Sequence, residues 1–167
     1  MVRDFDTQPP NEEEMKKLVY AATRAPSGGN MLSREIVVVD DPRYMKMLKG
    51  VTPSFIANAP AAIVICTDMA KAEDKMGIQG RDILSLVDSG AAAENVALVA
   101  EELGLGVSFV RSCTEAGVKS VLNIPDGYRV DIIVGVGYKS KKRPPAMKGA
   151  RPIVYHNNHG EPWNDSN

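Results

Sequence analysis

The side chains best suited to binding chemistry lie late in the chain, where cations accumulate without an acid. Residues 132–160 contain no aspartate or glutamate. A run of this kind usually forms a solvated surface. Here, however, the cations are set among prolines and glycines, which fix the backbone and let it approach a ligand, so the segment also suits a single phosphate group. The basic residues are Lys139, Lys141, Lys142, Arg143, Lys148 and Arg151.

A second candidate is the segment Ala25-Pro26-Ser27-Gly28-Gly29-Asn30. Ser27 and Asn30 can each donate and accept hydrogen bonds, and loops carry a large share of binding residues. The same composition also fits a plain connection between a helix and a strand. Both interpretations stay open on these residues alone.

Several other kinds of site lack support in the sequence. His156 and His159 are the only histidines, and they could begin a zinc site but not complete one, so no metal site is expected. No Gly-x-Ser-x-Gly or Gly-Lys-Ser/Thr segment occurs. Gly135-Val136-Gly137 precedes a Lys-Lys-Arg-Pro-Pro run that cannot open a helix, which excludes a dinucleotide fingerprint there.

Length, charge and cysteine content limit the class of protein. The chain has 167 residues and a net charge of −1, so we expect one domain over residues 1–167 and no general binding to nucleic acid or to a membrane surface. A polyanion-binding role for the basic tail remains an alternative. Cys66 and Cys113 are too few for a disulfide framework, and Met1–Asp6 has no apolar core of a signal peptide. We therefore expect a reduced, cytoplasmic protein.

The elements that must position these residues alternate between helices and strands. Asn11 and Glu14 form a potential capping box for a first helix, Glu12–Thr23, which must end before Pro26. No element is predicted between Thr67 and Asp82. The remaining predictions are strands at Glu35–Asp40, Ala61–Thr67, Gly106–Val110 and Arg129–Val136, and helices at Pro42–Leu48, at Asp82–Leu103 and from a Thr114 cap to Leu122.

Two of these segments suggest contact with another chain. The helix Asp82–Leu103 has no basic residue and is apolar on nearly every side between its acids, with many small side chains. It therefore indicates either a core helix or a dimer-interface helix. Residues 139–167 have no core face of their own, so they are either disordered or packed across a second subunit.

The order of these segments resembles the FMN-dependent nitroreductase family over nearly the whole chain. The resemblance begins with Ala-Pro-Ser-x-x-Asn before a valine-rich strand. The matching segments are Ala25–Asn30 with Ile36–Val39, Ala59-Pro60, Asp88-x-Gly90-x-Ala92, Glu94-Asn95-Val96-x-Leu98, Leu103–Gly106, Leu122–Pro125 and Gly135-x-Gly137-Tyr138.

The resemblance implies an α+β fold in which a mixed, mainly antiparallel sheet is wrapped by helices. It also implies a domain-swapped homodimer that binds FMN at its interface, with residues 139–167 extending over the partner. The site residues implied by motif position are Pro26, Ser27 and Asn30 against the flavin from the opposite subunit, the backbone N–H groups of Arg111 and Ser112 toward flavin N5 and O4, Lys148 and Arg151 on the FMN phosphate, and Arg3 near the pyrimidine edge.

The activity that the resemblance implies is oxidation of NAD(P)H and reduction of a small electron-poor acceptor, a nitroaromatic or a quinone, by a ping-pong mechanism. The cofactor would supply the hydride chemistry and the protein would supply position and charge, so no catalytic side chain is named. Two departures favour the alternative of a flavin-binding dimer without turnover. Met1 stands where many members have a serine after an additional arginine, and Met31-Leu32-Ser33-Arg34 stands where many have x-Gln-Pro-Trp.

Overall fold

A four-stranded sheet forms the centre of the fold. The computed structural model describes residues 1–52, 58–140 and 152–163. The strands are β1 (Arg34–Val39), β2 (Ala61–Asp68), β3 (Leu105–Val110) and β4 (Tyr128–Tyr138), in the spatial order β1-β2-β4-β3. All three pairings are antiparallel. Among the described strands the sheet is thus antiparallel throughout, and the predicted α+β class is confirmed.

The described residues form five α-helices around this sheet. They are α1 (Glu12–Thr23), α2 (Pro42–Val51), α3 (Met69–Gln79), α4 (Ser85–Glu102) and α5 (Glu115–Leu122). One core cluster joins α1 and α4 to the sheet, and the other joins α2 and α5 to its opposite face. Because both faces are covered, residues 61–67 of the central strand β2 are all buried, which explains its uninterrupted apolar sequence.

The first helix follows its local signals closely. Asn11 Oδ1 accepts a hydrogen bond from the Glu14 N–H at 2.9 Å, and Glu14 Oε2 accepts one from the Asn11 N–H at 2.8 Å. This reciprocal pair satisfies two N–H groups at the start of the helix. Met15, Leu18 and Ala22 are buried on one face. The predicted bounds of α1 and its capping box are therefore confirmed.

The helical stretch before α4 differs from the prediction. Helix α3 was not expected, and after it a π-helical turn (Gly80–Leu84) leads directly into α4. Helix α3 itself contains a break at Met76 and Gly77, where Gly77 has φ +63°. The helix predicted over Asp82–Leu103 thus begins inside that turn. Thr114 does lie at the N-cap of α5, but its side chain makes no capping hydrogen bond.

Helix α4 has one buried and one exposed face. The residues facing the core are Ser85, Asp88, Ser89, Ala92, Ala93, Val96 and Ala100. The exposed residues on the other face form what we call the outer stripe, and they are Ile83 (from the π-helical turn), Leu86, Val87, Gly90, Glu94 and Leu98. By length and composition alone, residues 69–102 could cross a membrane. In this fold the inner face of that stretch packs on the sheet, and the outer stripe is left without a partner in the described chain.

A buried polar network fixes the first half of α4 to the sheet. Asp131 of β4 is 3% exposed and accepts hydrogen bonds from Thr67 Oγ1 at 2.5 Å, Ser89 Oγ at 2.7 Å and Arg129 Nε at 2.5 Å. Arg129 also donates to Ser85 Oγ at 2.7 Å. The carboxylate therefore has donors from two strands and from α4, as a buried charge requires.

Candidate functional site

The loop between α1 and β1 has an unusual backbone. A 3₁₀ turn covers Gly28–Asn30, and Gly29, Asn30 and Leu32 have φ values of +55°, +53° and +50°. A left-handed conformation is costly for residues with a Cβ, and most of all for a bulky one such as leucine. The Asn30 side chain is exposed and makes no hydrogen bond to another residue that the structure describes.

Long-range contacts hold this loop in place. Arg34 donates from Nη2 to the Ala25 carbonyl at 2.9 Å, and from Nη1 to the Pro26 carbonyl at 3.2 Å and the Asp88 carbonyl at 2.8 Å. The Gly28 N–H donates to both carboxylate oxygens of Asp88, at 3.0 and 3.2 Å. Ser27 Oγ accepts from the Leu32 N–H at 3.2 Å. The loop is thus tied to α4 by two separate groups.

Arg34 stays a cation although it is partly buried. Burial lowers the pKa of Arg34, and the charge of the nearby Asp88 carboxylate acts in the opposite direction. An arginine remains protonated under all ordinary conditions. Its positive charge therefore stays within the cluster of carbonyl oxygens.

Glycine is required at the tip of the loop for two reasons. A Cβ at position 29 would lie 2.5 Å from Met76 Sδ, and the φ of +55° disfavours any side chain. Next to it Met31 is 1% exposed, and its sulfur lies near Gly80. The loop therefore packs closely against the junction between α3 and the π-helical turn.

A second group of predicted site residues lies at the opposite edge of the sheet. The N-terminal segment follows β3, with the Val2 N–H donating to the Val107 carbonyl at 2.7 Å. Arg3 lies in this segment, and Arg111 and Ser112 follow the end of β3. All three are exposed, and within the described ranges their side chains make no hydrogen bond or ion pair. They are thus available to a ligand.

The two groups of predicted residues are not brought together by one chain. Pro26, Ser27 and Asn30 precede β1 and the others lie along β3, with β2 and β4 between these two edge strands. Three inter-strand spacings separate the edges by about 14 Å. No hydrogen bond or ion pair connects the groups in the part of the chain that the structure covers. Lys148 and Arg151 lie outside the described residues.

A surface groove between α1 and α4 contains none of the predicted site residues. It has a volume of about 800 Å³, and Tyr20, Leu98 and Leu103 contribute to its mainly apolar lining. Leu98 belongs to the outer stripe and is 62% exposed. The groove therefore continues the unpartnered face of α4.

The two histidines of the tail are engaged with aromatic rings. The His159 ring lies 4.5 Å from that of Tyr155, and the His156 ring lies 4.9 Å from that of Trp163. A short antiparallel bridge between Tyr155 and Pro162 closes this segment. Within residues 1–52, 58–140 and 152–163, no three His, Cys, Asp or Glu side chains lie close enough together to hold a metal ion.

Two residues of the site were not predicted from sequence, Arg34 and Asp88. Asp88 is 8% exposed in an otherwise apolar stretch of helix. A buried acid needs partners, so its position in the Asp88-x-Gly90 motif was a usable signal. Arg34 gave no such signal, because its three acceptors are all main-chain carbonyls.

Comparison with known proteins identifies the family. The model of the Nitroreductase family matches residues 1–52 and 44–138. An NADH dehydrogenase/NAD(P)H nitroreductase from Archaeoglobus fulgidus, so named, is 30% identical over 153 residues, covering 85% of this chain and 82% of the relative. An NADPH-dependent oxidoreductase of Staphylococcus aureus is 27% identical, covering 94% and 69%. An FMN-dependent nitroreductase structure from Clostridium difficile superposes with a TM-score of 0.69 at 24% identity, covering 99% and 87%. The predicted resemblance is confirmed: the chain belongs to the Nitroreductase family.

Proposed function

We propose that the protein is a homodimeric, FMN-dependent oxidoreductase that transfers electrons from NAD(P)H to a small electron-poor acceptor, a nitroaromatic or a quinone, in the cytoplasm. The relatives named as NAD(P)H nitroreductase and NADPH-dependent oxidoreductase support the reaction class. The structural neighbour named as FMN-dependent supports the cofactor. The observation that carries the proposal is the division of the predicted site between two opposite sheet edges, because a second copy can complete such a site.

The residues at these edges fit the chemistry of FMN. Arg3 and Arg111 offer cations, and Asn30 offers an amide, all without side-chain partners in the described chain. When bound, FMN accepts electrons from NAD(P)H and passes them to the acceptor. Pro26, Ser27 and Asn30 contact the flavin, Arg111 and Ser112 offer it backbone N–H groups, and Arg3 lies at its pyrimidine edge. These roles, like the phosphate-binding role of Lys148 and Arg151, are part of the proposal.

The outer stripe of α4 supports a dimer. Ile83, Val87 and Leu98 are 54%, 63% and 62% exposed and recur on one helical face around Gly90. An exposed apolar surface of this kind marks an interaction site more often than a solvated face. The tail has similar features, since Ile153, Val154 and Trp163 are at least half exposed. We propose that α4 pairs with its symmetry mate and that residues 139–167 extend over the partner.

The visible spectrum of the purified protein tests the cofactor directly. We expect flavin absorption bands, or their appearance after addition of FMN and removal of the excess. The Arg151→Ala variant should bind FMN more weakly by about 1.5–3 kcal/mol, the scale of one charged hydrogen bond. Protein that stays colourless after incubation with FMN contradicts the proposal, and unchanged affinity in the variant places the phosphate elsewhere.

A second candidate function is flavin binding without turnover. The observation that favours it is the engagement of Arg34 with three carbonyl oxygens, at a position where many family members have an aromatic residue. Steady-state consumption of NADH or NADPH with menadione or a nitrofuran distinguishes the two functions. A pure binding protein shows a flavin spectrum but no acceptor-dependent consumption.

A further inference from the structure

We propose that Arg34 and Asp88 are positioning residues that hold the Pro26–Asn30 loop in the conformation that binds flavin. The inference deepens the proposed function and rests on it. Neither residue is expected to touch the cofactor. Each acts through the loop backbone, and together they fasten the loop to helix α4.

Arg34 connects both ends of the bend to α4. Its guanidinium lies between the carbonyls of Ala25 and Pro26, where the chain leaves α1, and the carbonyl of Asp88 on α4. Arg34 is itself the first residue of β1. One side chain thus joins the end of α1, the start of β1 and the first turn of α4. A planar guanidinium can reach three acceptors at once, whereas a lysine ammonium is a single point charge.

Asp88 holds the backbone of the loop at Gly28. Both of its carboxylate oxygens lie within hydrogen-bond distance of the Gly28 N–H, the first position of the 3₁₀ turn. The carboxylate is almost fully buried. Among the described residues, the Gly28 N–H is the group that donates a hydrogen bond to the Asp88 carboxylate. Hydrogen bonds to a charged group are roughly twice as strong as neutral ones.

The loop needs such support because its backbone is strained. Asn30 and Leu32 adopt left-handed conformations, which are unfavourable for residues with a Cβ and most of all for a bulky one such as leucine. The Ser27 hydroxyl stabilises the bend only locally. Without Arg34 or Asp88 the segment can relax to an unstrained conformation, and the exposed Asn30 amide then loses its fixed direction.

The same fastening connects the loop to the proposed dimer interface. Asp88 lies on the inner face of α4, and its sequence neighbour Val87 belongs to the outer stripe. A shift of this helical turn therefore moves both the loop and the surface that meets the partner. The position of the loop in one subunit is thereby set relative to the other subunit.

The test uses the full chain and four variants. Arg34→Ala removes the three hydrogen bonds, and Arg34→Lys retains a charge that can reach one or two of the carbonyls. Asp88→Asn keeps an oxygen for the Gly28 N–H but removes the charge. Arg43→Ala is the matched control, because Arg43 is exposed and, among the described residues, its side chain bonds only Asp41.

Two readouts are measured on each variant. The first is the FMN dissociation constant from quenching of flavin fluorescence, well below the unfolding temperature. The second is hydrogen exchange of residues 25–33 in flavin-free protein, with β2 as the internal reference. For Arg34→Ala we expect the FMN dissociation constant to rise by about 10- to 100-fold, at a tenfold change for each 1.4 kcal/mol. We also expect faster exchange in the loop and unchanged exchange in β2. Arg34→Lys and Asp88→Asn should fall between this variant and the wild type, and Arg43→Ala should equal the wild type.

The outcomes separate the inference from the proposed function. Wild-type FMN affinity and wild-type loop exchange in Arg34→Ala overturn the positioning role, whatever the activity. Faster exchange across β2 as well shows general destabilisation, which also overturns it. Failure of the wild-type protein to bind FMN contradicts the proposed function, and the exchange result then still decides whether Arg34 and Asp88 hold the loop.

Discussion

Replacement of Val87 by glutamate tests the proposed dimer at the centre of the outer stripe. Val87 is 63% exposed in the single chain and lies one turn from Gly90. In a monomer this change should alter the free energy of unfolding by no more than about 0.5 kcal/mol, as at other exposed helix positions. In a symmetric dimer the same substitution occurs twice at one interface.

The magnitude follows from the surface that remains to be covered. Full burial of a valine side chain contributes about 1.5–3 kcal/mol, so the 63% still exposed corresponds to about 1–2 kcal/mol per subunit. Both subunits together lose about 2–4 kcal/mol, which raises the dimer dissociation constant by roughly 30- to 1,000-fold. Desolvation of the two introduced carboxylates adds to this effect.

Sedimentation velocity over a range of concentrations measures this change. The wild-type chain should sediment at twice its mass of 18.0 kDa, and Val87→Glu should shift to the monomer while retaining its circular dichroism spectrum. Met47→Glu is the matched control, because Met47 is 46% exposed on α2, on the opposite face of the sheet. A Val87→Glu variant that remains a dimer as tightly as the control refutes the assignment of the outer stripe to the interface.

Three further predictions concern other parts of the fold. Asp131→Ala leaves Arg129 without its buried partner and should lower the free energy of unfolding in urea by about 3–5 kcal/mol, with Asp131→Asn intermediate. Burial, with smaller effects from nearby acids, raises the pKa of Cys66 from 9.0 to about 12, so the folded chain holds this proton more tightly than the unfolded chain. Stability from this group is therefore present below pH 9 and lost as the pH rises toward 12, and Cys66→Ala should flatten the dependence of the urea midpoint on pH over that range. Ser112→Ala should keep FMN affinity and Ser112→Pro should lose it, because only the variant with proline lacks the backbone N–H.

Each of these predictions has a clear contrary result. Equal urea midpoints for Asp131→Ala and the wild type mean that the network adds no stability. A Cys66→Ala variant with the wild-type pH dependence means that this thiol does not titrate differently on unfolding. Equal FMN affinity in Ser112→Pro and Ser112→Ala means that no backbone donor at this position holds the cofactor.

Elements with local signals were predictable from the sequence, and elements stabilised by distant contacts were not. The bounds of α1 follow from a capping box and a proline a few residues beyond its end, all within one segment. Helix α3 has a capping residue, Asp68, which accepts a hydrogen bond from the Lys71 N–H at 3.0 Å. It has no apolar stripe, however, since Ala72 is its only buried residue and charged side chains surround it. It forms in continuity with the π-helical turn and α4, which no local window reveals. Strand β4 is longer than predicted because β3 pairs with it up to Tyr138.

The residues of the candidate site likewise differ in how far the sequence could predict them. Family motifs point to the loop at Pro26–Asn30 and to Arg111 and Ser112, and the structure shows where each lies. The contacts of Arg34 and Asp88 join residues more than 50 positions apart in sequence. Pairings over such distances depend on the tertiary fold, so composition and spacing could not predict them.

The separation of the predicted site between two sheet edges has a genetic consequence. A chain defective at the β1 edge and a chain defective at the β3 edge should be inactive alone yet complement one another when co-expressed. Random pairing gives half heterodimers, and each has one intact site beside one doubly defective site, so about a quarter of all sites should recover. Co-expression of a defective Asn30 variant with Ser112→Pro would then restore growth on a selective acceptor, whereas two variants defective at the same edge would not.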